Sequence, residues 1–269
     1  MTGKTDYENK ELQKVMVDIA SGYTERIMAI GSTGTGKSYS WLKLAERFSD
    51  NTFHVLDTDR SVRRMLSTEF SRLGNVLVTD AANWDQCYDF INGLVKTEGK
   101  VKPGDWVVVD LICSIWDMVQ SHFVSEIFDK GIGEYFLQAR KELKQGAKTL
   151  DALKGWVDWS VMNKMYQELA HKLFYVLSAP PYLANIFVVA KATRLSSEDK
   201  QETIDMFGTY GLRPEGEKRN IFRVHTVLLM QNDKSGYYVS TIKDRGRSRW
   251  GRKKVSDFGI EYGGLAGWQ

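Results

Sequence analysis

A chain of 269 residues, 42% hydrophobic and 26% charged, is too long for a peptide and too apolar to be disordered throughout. Its formal charge of +3 permits an anionic partner without demanding one. Two cysteines cannot build a disulfide scaffold, the opening residues lack an apolar signal core, and no run of 18 apolar residues appears, which together predict a cytoplasmic protein with no membrane partner.

In chain order, residues 1–25 read as an N-terminal arm. It carries an amphipathic helix over 8–20, with Leu12, Val15, Met16 and Ile19 on one face. An apolar strand at 26–30 runs into a glycine-rich turn at 31–36. Helical spacing resumes at Lys37, with Trp41, Leu42, Ala45 and Phe48 on one side. Further strands are predicted at 53–57, 75–79, 106–110, 185–190, 224–230 and 237–243, with helices at 62–70 and 84–95 between the earlier ones. Such alternation predicts an α/β fold with a mainly parallel sheet. The last two strands are joined by the short polar segment 231–236, which predicts a C-terminal antiparallel hairpin.

Two stretches interrupt the pattern. Residues 114–180 read as a helical insertion with Ile115, Val119, Phe123 and Ile127 as its apolar stripe. Residues 194–220 are polar and aperiodic and read as a long loop. A basic segment, 243–269, closes what reads as one domain spanning 1–269.

The strongest chemical signal is Gly31-Ser32-Thr33-Gly34-Thr35-Gly36-Lys37-Ser38, a G-x-x-x-x-G-K-S run between a strand and a helix. Glycines let successive backbone N–H groups point inward at phosphate oxygens, and the helix that follows offers its positive end to the same anion. Lys37 reaches the β- and γ-phosphates and the Ser38 hydroxyl ligates Mg²⁺ in this pattern. ATP and Mg²⁺ are therefore the expected cofactors.

A second acid follows from the strand Trp106-Val107-Val108-Val109-Asp110, whose carboxylate lies at the phosphate-loop end of a parallel sheet and would join the Mg²⁺ shell. No Glu follows Asp110, so a water-activating base has to come from elsewhere. Asp57 and Asp59 share one side of the second strand if it stays extended, and Asp59 is the candidate base. The four histidines, His54, His122, His171 and His225, are scattered without metal-ligand spacing.

With the phosphate loop, Asp57-Thr58-Asp59 resembles the RecA-like ATPase family, whose catalytic acid sits at the end of the strand after the phosphate-loop helix. Here the usual Glu is a shorter Asp. Lys243-Asp244-Arg245 looks like the Lys-x-Arg element of DnaB-type helicases and bacterial RadA. The resemblance implies that Lys243 and Arg245 act in catalysis by reaching a neighbouring subunit's γ-phosphate, so the chain would work as a homo-oligomeric ring or filament. The arrangement is also similar to compact phage-type RecA-like proteins of single-strand annealing and recombination, which implies DNA, single-stranded above all, and a single-strand-binding or replication partner; if the chain is phage-encoded, the compartment is the host cytoplasm. In such proteins two loops hold DNA, corresponding here to parts of 114–156 and 194–220. The second contains Lys200, Arg213, Lys218 and Arg219 for phosphates and Phe207 and Tyr210 for bases. Arg247 and Arg249 in the basic tail would add to these. A duplex-translocating motor, either helicase or packaging ATPase, uses the same core and stays open. So do a small-molecule nucleotide kinase and a scaffold that binds ATP without hydrolysing it.

Overall fold

Val107, Val108 and Val109 follow one another with no polar alternation, a run that suits a strand covered on both faces. The structure, a computed structural model, describes residues 23–144, 150–245, 251–259 and 261–262. Its strands are β1 (Arg26–Gly31), β2 (Phe53–Asp57), β3 (Val76–Asp80), β4 (Trp106–Asp110), β5 (Asn185–Arg194), β6 (Leu212–Pro214), β7 (Thr226–Asp233), β8 (Gly236–Asp244) and β9 (Lys253–Val255). They form one sheet in the order β3-β2-β4-β5-β1-β7-β8-β9, with β6 alongside β5. From β3 across to β7 every pairing in that order is parallel, and β8 and β9 are antiparallel. The expected α/β architecture, with its parallel sheet and C-terminal hairpin, is the architecture found.

Helices cover both faces. On one side α1 (Lys37–Arg47) buries Trp41, Leu42, Leu44 and Ala45 against Ile27, Ala29 and Val108. On the other, α3 (Trp84–Lys96), α4 (Ile112–Phe128) and α6 (Leu150–His171) pack on Met28, Ile30, Val107 and Val109. Alternate residues of each strand thus feed opposite layers, as the pleat requires. The short α2 (Val62–Leu66) follows β2, and α5 (Ile132–Lys144) lies in the insertion. Phe123, Val124 and Met162 make a small separate core there. Ile115, Val119 and Phe123 are buried as their spacing predicts, but Ile127 is 60% exposed. It stands in the last turn of α4, where Phe128 and not Ile127 packs against that core before the chain turns at Asp129.

The segment 194–220 is not a loop. It contains α7 (Gln201–Phe207), a 3₁₀ turn (Gly208–Tyr210) and β6, and α8 (Asn220–Arg223) follows directly. Elements of three to seven residues are too short to show a period, which is why the sequence pattern misses them. Phe207 is fully buried in the main core, so it is withdrawn from the residues expected to stack on bases. Phe207→Ala is expected to cost about 3–5 kcal/mol of stability by cavity formation, read as a shift in the urea midpoint. Arg213 and Lys218 both pair with Asp199, whose side chain is 1% exposed, and Arg219 pairs with Glu217. These cations neutralise carboxylates of their own segment. Lys200 is exposed, and Tyr210 rests half-buried on the core. Arg247 and Arg249, the helix expected at 8–20 and residues 145–149 of the helical insertion lie outside the described residues.

Cys87 and Cys113 are buried free thiols, and burial pushes Cys87 up to about 12. No helix among the described residues is long and apolar enough to cross a membrane.

Candidate nucleotide site

Parallel strands end at one edge of the sheet, and the chemistry gathers there. In register, Asp80, Asp57 and Asp110 stand level on β3, β2 and β4, while Gly31 stands level with Lys191 of β5. The chain leaves β1 at Gly31 through a turn that only small residues allow. A Cβ on Gly31 would come within 2.5 Å of the Met230 carbonyl oxygen and of Thr35 Oγ1. Gly31→Ala therefore forces backbone apart and is expected to cost about 1–3 kcal/mol, with nucleotide affinity falling alongside the urea midpoint. Gly34 and Gly36 take φ of 77° and 86°, a region that L side chains avoid.

Inside the turn, Lys37 Nζ donates to the Ser32 carbonyl at 2.6 Å and Thr35 Oγ1 donates to the same oxygen at 2.9 Å. Asn232 of β7 donates from Nδ2 to the Gly34 carbonyl at 3.2 Å, so the loop is held from the strand beside it. Burial lowers the pKa of Lys37, and the nearby Asp110 works against that shift. The loop opens α1 and presents its N-terminal end to a cavity of about 570 Å³.

Asp110 forms the floor. Its carboxylate is fully buried, and Oδ2 accepts from Trp41 Nε1 at 3.0 Å. Oδ1 has no hydrogen-bond partner. Burial raises this carboxyl to about 6; the Ser38 hydroxyl and the Trp41 N–H oppose the rise, and Asp59 and Asp57 add to it. Ser38 thus lies close enough to act on the carboxylate, yet no bond of normal geometry reaches Oδ1. An orphaned, buried carboxylate oxygen beside a hydroxyl is a hard oxygen pair of the kind Mg²⁺ takes. Ser38 and Asp110 therefore fit the ion. Among the described residues no three His, Cys, Asp or Glu gather into a metal site of protein ligands alone, so such an ion would share its shell with phosphate oxygens and water.

Two supports escape the sequence reading. Trp41 falls on the apolar face of α1, but its indole N–H is also the donor that fixes Asp110. A buried Trp needs a partner for that N–H, and this requirement was the available clue. Thr58 ties the ends of β2 and β4 together. Its N–H donates to the Asp110 carbonyl at 2.7 Å, its hydroxyl donates to the Leu111 carbonyl at 3.1 Å, and the same hydroxyl accepts from Leu111 N–H at 2.8 Å.

The two carboxylates after β2 part company. β2 stops at Asp57 and the chain bends from Thr58 through Arg60, so the side chains do not alternate as an extended strand would have them. Asp57 is fully buried and accepts from Val62 N at 3.1 Å and Asp59 N at 3.2 Å, a structural cap on α2. Burial raises its pKa. Asp59 is exposed and lines the cavity with Lys37 and Lys191.

The C-terminal part contributes a wall that the sequence reading left in a basic tail. β9 pairs with Tyr237, Tyr238 and Val239, and Val255 and Phe258 line the cavity opposite the loop. Phe258 and Tyr262 are buried with α1, and a Cβ on Gly259 would meet the Lys43 carbonyl oxygen at 2.6 Å. Arg252 lies 3.8 Å over the Tyr238 ring and pairs with Asp233, which Ser235 and Arg252 together hold down near a pKa of about 2.

Lys243 and Arg245 stand at the far end of β8. Lys243 lies five positions beyond Tyr238, about 17 Å along a strand, so neither cation serves its own chain's cavity.

No family model matches this chain, and no curated protein matches it. Among solved structures 77 chains match. One is the crystal structure of the RadB recombinase, with a TM-score of 0.48 and 11% identity over 87% of this chain and 89% of that one.

Proposed function

We propose that this chain is a RecA-like ATPase that binds ATP with Mg²⁺, hydrolyses it, and acts on DNA as an assembly of copies. The observation that carries the nucleotide reading is the buried, unpartnered Asp110 Oδ1 beside Ser38, at the foot of a glycine loop that opens a helix. The backbone N–H groups of residues 33–38 cradle phosphate oxygens, and Lys37 turns its ammonium onto the β- and γ-phosphates. Ser38 and Asp110 would hold Mg²⁺, which supplies positive charge against the phosphate oxygens as the bond to the γ-phosphorus breaks. Asp59, exposed at the cavity, orients the attacking water and takes its proton. Asp57 is excluded from that role because both its oxygens are engaged in capping.

The DNA reading rests on the resemblance in the sequence. Lys200 and the basic tail remain its candidate contacts, and the paired Arg213, Lys218 and Arg219 would have to leave their carboxylates to join them. Steady-state ATP hydrolysis without DNA, with single strands and with duplex tests the whole. Stimulation by single strands supports the recombination or annealing role. Stimulation by duplex moves the protein to the translocating motors. Turnover indifferent to both, together with phosphoryl transfer to a small acceptor, makes it a kinase.

A further inference from the structure

β1 divides the surroundings of the glycine loop in two. In the order β3-β2-β4-β5-β1-β7-β8-β9, Asp110 and Asp59 follow strands on one side of it, and β7, β8 and β9 lie on the other. In a loop of this pattern Lys37 and Ser38 serve the β- and γ-phosphates, so the γ-phosphate faces Asp110 and Asp59. The other end of the triphosphate then leaves toward β8 and β9. The cavity of about 570 Å³ continues there with room for a nucleoside, walled by Tyr237, Tyr238, Val239, Val255, Ser256 and Phe258.

Tyr237 sits where the loop meets this wall. Its ring carbons Cδ1 and Cε1 lie 3.6 and 3.9 Å from the point where a Cβ on Gly36 would stand, yet the residue is 53% exposed. An aromatic ring set against the phosphate loop with that much surface uncovered is a platform for a flat partner.

The rest of the wall has little with which to read the edge of a base. Val239, Val255 and Phe258 carry no polar side-chain atom, and the backbones of β8 and β9 pair with each other from Tyr237 to Val239. Tyr238 shares a 2.5 Å hydrogen bond with Ser235, and Arg252 covers its ring. Ser256 donates to Glu261 twice, from its hydroxyl at 3.1 Å and from its backbone N–H at 3.2 Å. The Tyr237 hydroxyl both donates and accepts, so it suits adenine and guanine equally. Telling the two apart takes a fixed donor or acceptor, and a site of rings and methyl groups discriminates weakly.

We propose that Tyr237, with Val255 and Phe258 beside it, holds the nucleobase by stacking and apolar contact alone, so that the chain accepts purine and pyrimidine nucleoside triphosphates alike. This rests on the nucleotide reading above and widens its substrate from ATP to the class. Every base has a flat face to stack, and the larger purine face gains more from it.

The test is displacement of a fluorescent ATP analogue from the full chain by ATP, GTP, CTP and UTP, with inorganic tripolyphosphate as a probe that has no base. The four nucleotides should compete within ~30-fold of one another, the purines ahead. Tyr237→Ala should weaken all four roughly 10- to 100-fold without weakening tripolyphosphate, and Tyr237→Phe, which keeps the ring, should restore most of the loss. Thermal unfolding separates a lost platform from a lost fold, and if Tyr237→Ala does not fold, the comparison of the four nucleotides on wild type decides. A wider spread in favour of one base, or a Tyr237→Ala chain that binds all four like wild type, overturns the proposal and leaves the nucleotide reading standing. If the analogue does not bind, or binds Lys37→Ala as well as wild type, the nucleotide reading falls and this inference with it.

Discussion

Asp110→Asn is expected to make the nucleotide-free protein more stable at neutral pH and to lower ATP turnover at least ~100-fold. The two effects have one cause. In the folded chain Asp110 releases its proton near 6, against an ordinary carboxylate value of 3.8, because burial disfavours the anion and outweighs the Ser38 hydroxyl and Trp41 N–H that favour it. Between those values the folded state holds more protons than the unfolded state, so the residue's contribution to stability falls as pH rises through this window. Above pH 6 the cost is complete, about 3 kcal/mol. An asparagine carries no charge to bury and can still accept from Trp41, so urea unfolding at pH 7.5 should show a higher midpoint for the variant. At pH 3.5 the advantage should vanish, since Asp110 is then protonated in the folded chain. Equal midpoints at both pH values would show that the carboxylate is not strained as described.

Lys37→Ala is expected to lower kcat at least ~100-fold and to weaken ATP binding by about 2 kcal/mol, the worth of a charge-assisted hydrogen bond. Its effect on the fold should be small. Burial already lowers the Lys37 pKa, so the ammonium is held at a cost that alanine removes, and the bond lost to Ser32 offsets that gain. Circular dichroism and the urea midpoint should match wild type within about 1 kcal/mol while a fluorescent ATP analogue dissociates readily. A variant that binds and hydrolyses ATP normally would remove the nucleotide reading altogether.

How much of this was legible in the sequence depends on the distance over which each feature is decided. The phosphate loop and Asp110 are local: a glycine run between a strand and a helix, and a buried strand ending in an acid. Both lie where the pattern puts them. The separation of Asp57 from Asp59 is also local, but it hangs on a bend that opens at Thr58 directly after the strand, which residue type does not announce. Phe207 was misread because α7 is too short to show a period, and its burial is decided by strands far away in the chain. The same holds for Lys243. Nothing in Lys-Asp-Arg says that the lysine will be spent on the carbonyls of Ile221 and Val224, 22 and 19 residues earlier. The wall made by Val255 and Phe258 is longer-range still, because it needs a three-residue strand to pair before the tail can turn back over α1.

β1 lies at the centre of the sheet, between two strands that come much later in the chain, beginning at Asn185 and Thr226. A chain synthesised from its N-terminus therefore exposes Ile27, Met28, Ala29 and Ile30 long before either neighbour exists to cover them. The glycine turn that follows cannot be gripped by Asn232, nor roofed by Phe258, until both residues have been made. Nascent fragments that stop short of β7 should therefore be sticky and blind to nucleotide, and competence should arrive only once Phe258 has been added.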